Sequence, residues 1–514
     1  MVTTLVTTIR NGVGRGLLKG PLDVFLMHMH PSLAIASGAL GFLLSGCMMN
    51  HGDMMDDVVV PPLIDIGTSS AAFGPEAAAN TSNEPGVVSF ELEAREADVE
   101  IADGKRLGMW TYNGAVPGPL LEAQVGDRIR VHFTNSLPVS TTIHWHGVRV
   151  PADMDGVTVE RAPIPPGADF TYEFTATDPG TFWYHPHVAS DEQVERGLYG
   201  AIVIRDADEP AVTSEHTAVL DDVLLDDRGE LAPFSVMQAM LGRQGNVLLV
   251  NGHANPQLEV APGGLHRFHF INAATARYFR LSLGGQAFHI IGFDNGKLEQ
   301  PRKVTELLLV PGARADVLVE APADGTLRWR TLSYDRGHGT GVAPSAELFA
   351  VDLVGDQAES LDLPTDFPTV EPLGSFDRSR RLLLGEEMMS GHMAHGATGT
   401  LGPTFSINGK VFPDGEVFRS TLGAVEEWEL RNDTTIDHPF HLHGFRFQVT
   451  SENGKRPTYL AYFDTVNVPA KQSTTIRIQF EANPGTWMFH CHILEHAERG
   501  MMGMLEVAAP PDHD

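Results

Sequence analysis

From Val87 to Val507, apolar and polar residues alternate in short runs, as in DRIRVHFTNS ending at Ser136 and TTIRIQF ending at Phe480. A period of two turns one face of a strand to a core and the other to water. Gly, Pro and Asn-Gly steps separate the runs, and long stretches of helical periodicity are scarce. That pattern predicts an all-β protein built of sandwiches. The chain also repeats itself. Asn113-Gly114, Asn251-Gly252 and Asn408-Gly409 each open a similar segment, closed by Asn135, Asn272 and Asn432 at intervals of 22, 21 and 24 residues. Repeated turn chemistry at a repeated spacing predicts three copies of one Greek-key β-sandwich. The expected domains are 87–206, 212–362 and 374–508, with joints near Asp206 to Val212 and in the Pro-rich stretch Leu363 to Leu373.

The region before Val87 has a different pattern. Arg10, Arg15 and Lys19 precede a small and apolar run from Ser32 to Leu44. That run is shorter than the roughly 20 residues needed to span a bilayer. It ends in Leu44-Ser45-Gly46-Cys47, which resembles a bacterial lipoprotein signal over residues 1–46, with a lipid anchor at Cys47. The alternative is a secretory signal cut after Cys47. Both predict an extracytoplasmic protein, periplasmic or at the cell surface, with membrane contact only through the anchor. Residues 47–86 lack periodicity and are expected to form a flexible tether.

Among 514 residues there are 66 Asp and Glu against 36 Lys and Arg, a formal net charge of −30. This excludes a nucleic-acid partner, which requires a basic face. Two cysteines exclude a disulfide scaffold. The 23 histidines are unusual for their arrangement. TTIHWHG carries His144 and His146, and GTFWYHPH carries His185 and His187. HPFHLHG carries His438, His441 and His443. GTWMFHCHILEHAERGMMG carries His490, Cys491, His492, His496 and Met501. Where the third domain has His438 and Cys491, the first has Thr141 and Pro186. The second keeps only His289, with Ile291 in place of the next histidine.

A His-x-His on a strand puts both imidazoles on one face. Four such pairs converging across an interface suit copper or another late first-row metal rather than Ca²⁺ or Mg²⁺. His438, Cys491, His496 and Met501 form a His₂Cys set with a thioether, the donor set of a mononuclear blue-copper site. A single histidine is ordinarily a packed or surface residue. Eight in four repeated pairs, one pair split by a cysteine, are not.

On these motifs the chain resembles the three-domain multicopper oxidases, a family that includes laccases, bilirubin oxidases and cuprous oxidases. The resemblance implies three cupredoxin-like domains and four copper ions, one of type 1, one of type 2 and two of type 3. It implies type 1 ligands at His438, Cys491, His496 and Met501, and type 2 ligands at His144 and His441. It assigns His146, His185 and His492 to one type 3 ion and His187, His443 and His490 to the other. It further implies one-electron oxidation of a donor coupled to four-electron reduction of O₂ to water. Asp155 matches a family acid that feeds protons to oxygen. Several relatives carry Glu directly after the residue matching His496. Here that residue is Ala497, followed by Glu498, which is either a substitute acid or an exposed residue.

The donor is open at this level. GEEMMSGHMAHGATG places Met388, Met389 and Met393 beside Glu386 and Glu387. Thioethers select Cu(I), so the segment is either a cuprous-ion site or a plain loop. Phenol oxidation at an exposed edge of His496 is the other principal expectation, with Mn(II) or Fe(II) a third. A monomer is expected. A copper-free binding protein of the same fold would lack these ligands, and a copper nitrite reductase would lack the first domain's two His-x-His pairs. A storage protein would not need Cys491 bracketed by histidines.

Overall fold

The structure is a computed structural model that describes residues 60–337, 339–365, 367–387 and 403–510. Cys47, Met388, Met389 and Met393 lie outside the described residues. The protein is all-β, with 49% of the described residues in strands and 5% in helices.

Among the described residues, three sandwich modules follow one another. The first pairs a sheet containing Val87–Ala102, Lys105–Tyr112 and Arg128–Asn135 with a second four-stranded sheet that holds His144–His146 and Gly180–His185. The second and third modules each join a six-stranded to a five-stranded sheet in matching strand order. In each module the strand leading in runs parallel to the strand that ends at the closing asparagine, as with Val87–Ala102 beside Arg128–Asn135.

The repeated asparagines explain themselves physically. Asn113, Asn251 and Asn408 adopt φ of +57°, +53° and +56°, a left-handed turn that Asn tolerates better than most residues. Each side chain then accepts from the strand that leads into its module, at Glu93, Val219 and Leu383 N–H respectively. The closing residues Asn135, Asn272 and Asn432 are fully buried. Each donates to two carbonyls and accepts from the N–H two residues on, holding a bend that no regular ladder could satisfy.

Each module has its own core, centred on Trp145, Trp329 and Trp428. A further apolar cluster joins the first two modules, including Val99, Trp183, Tyr199, Val219 and Ile271, and it reaches Leu494 of the third. The modules are therefore fixed against one another by burial, which is what a site shared between them requires.

Residues 60–86 do not form the free tether expected over 47–86. Ile64 N–H bonds to Asn246 O, Ala78 N–H to Leu120 O, and Phe73 packs on Phe349 at 4.9 Å. An extended segment with a few apolar anchors can lie in the grooves of the body, which a composition argument does not detect. Among the described residues no helix is long and apolar enough to cross a membrane.

Candidate metal centre

Two strand pairs build the site. In the first module His144–His146 runs antiparallel to Gly180–His185, with His144 opposite His185. In the third, His438–Leu442 runs antiparallel to Gly485–Cys491, with His441 opposite His490 and Phe440 opposite Cys491. Alternation sends His490 and His492 to one side and Cys491 to the other. One strand thus serves two separate donor sets.

The larger set lies between modules 1 and 3. The side-chain donors of His144, His146 and His441 converge within 4.8 Å, as do those of His146, His185 and His492, and those of His187, His443 and His490. His146 stacks on His441 at 3.8 Å and His144 on His443 at 3.9 Å. The smaller set is His438, Cys491 and His496. Cys491 Sγ is 3.4 Å from His438 Nδ1 and 3.8 Å from His496 Nδ1. Met501 is fully buried beside it, its carbonyl accepting from Cys491 N–H and its N–H donating to His496 O.

Six of the eight imidazoles of the larger set are aimed by their second nitrogen. His144 Nδ1 donates to Asp155 O at 3.0 Å, His185 Nδ1 to Pro186 O at 2.9 Å and His441 Nδ1 to Asp464 O at 3.0 Å. His443 Nδ1 donates to Asp155 Oδ2 at 2.8 Å and His490 Nδ1 to Cys491 O at 2.8 Å. These bonds leave Nε2 facing inward. His146 is reversed: Nε2 donates to Asp464 Oδ1 at 3.1 Å, leaving Nδ1 inward. The inward nitrogens of His144, His146, His185 and His441, and both ring nitrogens of His492, have no hydrogen-bond partner. Burial pushes His146, His185, His443, His490 and His492 well below the ordinary imidazole range, and His187 to about 3. The site is therefore lined by buried imidazoles, and the lone pairs of His144, His146, His185, His441 and His492 are unmet within the chain. Leaving these unmet is costly, and copper ions are the kind of group that meets them. The residues present fit the ions that the motifs imply.

Asp155 is fully buried and its carboxylate lies between His144 and His443, at 3.2 and 2.8 Å from their Nδ1 atoms. Glu498 is different. It is exposed, and its carboxylate accepts from Ser190 N–H and Oγ–H at 2.8 and 2.7 Å. It is not among the acids that converge with the histidines.

The expectation of an exposed His496 edge is corrected. His496 is fully buried, stacked on Phe405 at 3.9 Å, and its Nε2–H donates to Met240 O at 3.1 Å. Met240 belongs to the helix Val236–Leu241 of the second module, which starts on a Ser235/Gln238 capping box. No pattern in the sequence connects residues 256 positions apart. Asp464, Arg314 and Asp294, described further below, also carried no motif of their own.

Sequence models of the multicopper oxidase family match residues 93–209, 215–334 and 386–511. The multicopper oxidase MmcO of Mycobacterium tuberculosis is 30% identical, covering 86% of this chain and 90% of its own length. A multicopper oxidase of Staphylococcus epidermidis is 29% identical over 84% of this chain and 91% of its own. A solved structure described as a multicopper oxidase from Campylobacter jejuni, a metallo-oxidase, superposes with a TM-score of 0.77 at 32% identity, covering 88% of this chain and 99% of that one. With this fold and these histidines, the chain belongs to the multicopper oxidase family. It is a copper-dependent oxidoreductase of that type.

Proposed function

We propose that the chain binds four copper ions and oxidises a metal-ion donor, cuprous ion foremost, with O₂ as acceptor. His438, Cys491, His496 and Met501 hold the type 1 ion and His144 with His441 the type 2 ion. His146, His185 and His492 hold one type 3 ion, and His187, His443 and His490 the other. Copper bound there supplies the redox chemistry: single electrons from four donor oxidations, passed with four protons to one O₂, give two waters.

The residues have distinct tasks. Cys491 belongs to one donor set while its neighbours His490 and His492 belong to the other, so a few covalent bonds join the two. Asp155 orients His144 and His443 and is an acid placed to hand on protons. The closed packing of the three modules keeps bulk water from the histidines.

The observation that favours a small donor is the burial of His496 beneath the Met240 carbonyl. An aromatic donor has no direct contact with that ring, whereas a metal ion needs only a few ligand atoms nearby. The similarity to a neighbour described as a metallo-oxidase supports the same reading. Met388, Met389 and Met393 are the proposed soft ligands, with Glu386 and Glu387 drawing the cation in. The protein is proposed to act outside the cytoplasm, lipid-anchored, on the strength of its N-terminal pattern, and as a monomer.

Steady-state O₂ consumption with Cu(I), a dimethoxyphenol and Mn(II), compared side by side, tests the donor. The expected order is Cu(I) well above the phenol. Replacing the three methionines by Leu should raise the KM for Cu(I) and leave phenol turnover unchanged or faster, since Leu keeps much of the volume but not the sulfur. Faster phenol than Cu(I) turnover in the parent would overturn the metal-ion reading.

A further inference from the structure

The second module contributes no side chain to the converging donor sets among the described residues. Yet one of its turns, Val310 to Arg314, reaches the histidine cluster at two places, once through Asp464 and once at His492. Arg314 is fully buried where the three modules meet. Its Nη1 and Nη2 donate to both carboxylate oxygens of Asp464, in the third module, at 2.7 and 2.5 Å. Its Nε donates to Thr181 O, in the first module, at 2.9 Å. Asp294 completes the clamp, accepting from the backbone N–H of Arg314 on one oxygen and of Asp464 and Thr465 on the other.

Asp464 in turn controls two ligands of opposite tautomer. Its carboxylate takes the Nε2–H of His146, so Nδ1 faces inward, and its carbonyl takes the Nδ1–H of His441, so Nε2 faces inward. These two rings are nearly parallel, at 14°. Which nitrogen of a histidine binds metal is decided by the hydrogen bond that the other makes. Gly147, directly after His146, has φ +85°, and a Cβ there would collide with Arg314 Nη2 and Asp464 Oδ2. The glycine lets the ion pair close over His146. Two residues before Arg314, Gly312 lies against another ligand: a Cβ on it would stand 2.7 Å from His492 Cδ2.

We infer that this turn is the third wall of the histidine cluster. Arg314 is a positioning residue that acts through Asp464 on His146 and His441, and Gly312 sets the plane of His492. The inference rests on the copper reading above. A lysine could keep the charge of Arg314 but not the two-pronged grip on the carboxylate together with the bond to Thr181.

The test uses the full copper-loaded chain, with Arg314→Lys, Asp464→Asn and Gly312→Ala beside the parent. Copper per chain, the type 2 electron paramagnetic resonance signal, the near-ultraviolet shoulder and the intense red-end band are measured together. Arg314→Lys and Asp464→Asn are expected to keep the red-end band and to lose affinity at the other copper positions by about tenfold or more. Gly312→Ala is expected to weaken the shoulder and spare the type 2 signal. Full copper content with an unchanged type 2 signal and shoulder in either Arg314→Lys or Asp464→Asn would overturn the positioning role. Should Arg314→Lys fail to fold, Asp464→Asn, which preserves the side-chain shape, decides alone. A parent chain with no shoulder would overturn the copper reading instead, so the two failures are distinguishable.

Discussion

Modules 1 and 3 present the same frame with different contents. In module 3 the strand pair and the helix Leu494–Glu498 bring His438, Cys491 and His496 together. In module 1, Thr141 and Pro186 flank the corresponding strands, and Thr141 Oγ–H donates to Oε1 of Gln193, on the helix Ser190–Glu195, at 2.7 Å. A hydrogen-bonded Thr–Gln pair stands there without a cysteine or histidine donor set. The His-x-His pairs on the facing side are kept in both modules. The outer site is thus a matter of a few side chains on a retained scaffold, whereas the shared cluster needs both modules and their packing. Module 2 has the frame without either, and serves through its turns and its helix.

The largest break in this comparison comes from Cys491→Ser. The hydroxyl is a poor partner for copper, so blue absorbance and O₂ consumption should fall to background. The fold should persist, because one buried substitution rarely unfolds a chain of this size. Retained blue colour would contradict the assignment of Cys491. Asp155→Asn should act on the inner cluster alone. It is expected to cut turnover about 10²-fold or more while the red-end band stays, since a proton carrier is lost and the outer set is untouched. A pH optimum and rate equal to the parent's would remove Asp155 from the proton path.

Module 2 offers a smaller, metal-free contrast. Burial pushes His216 down to about 4, below its unfolded value near 6.5. The unfolded chain then binds a proton that the folded chain refuses. The contribution to stability is therefore complete above about pH 6.5 and is lost as pH falls toward 4. At pH 5 the penalty is about 1 kcal/mol after allowing for partial exposure. Thermal melting at pH 7 and 5 should show a smaller acid-induced drop for His216→Gln than for the parent. The smallest effect is expected from Thr141→Val, which removes the Gln193 bond at a cost of about 1 kcal/mol. It should leave colour and turnover unchanged, and a changed red-end band would mean that module 1 influences the outer site.

Much was legible before any coordinates. The alternation gave strands, and the six asparagines marked a turn and a bend in each repeat by their recurrence at a fixed spacing, although the partners that hold them lie 20 to 37 residues away. The His-x-His pairs were legible because strand geometry alone fixes which side chains share a face. Cys491 between two histidines was legible for the same reason. The strands and histidine pairs depend on neighbours within a few residues, and the chain states them directly.

Other features depend on where distant segments meet. That His496 is covered by the Met240 carbonyl follows from how module 2 docks on module 3. That residues 60–86 line the body follows from grooves that exist only after folding. That Glu498 turns outward to Ser190 while Asp155 turns inward to His144 and His443 is set by packing, although both are acids near histidine motifs. Arg314 reaches Asp464 across 150 residues and His146 through it. The sequence alone determined the strands, the threefold repeat and the donor types. Tertiary structure decided which nitrogen each imidazole turns inward, because a tautomer is set by a hydrogen-bond partner that another part of the chain supplies.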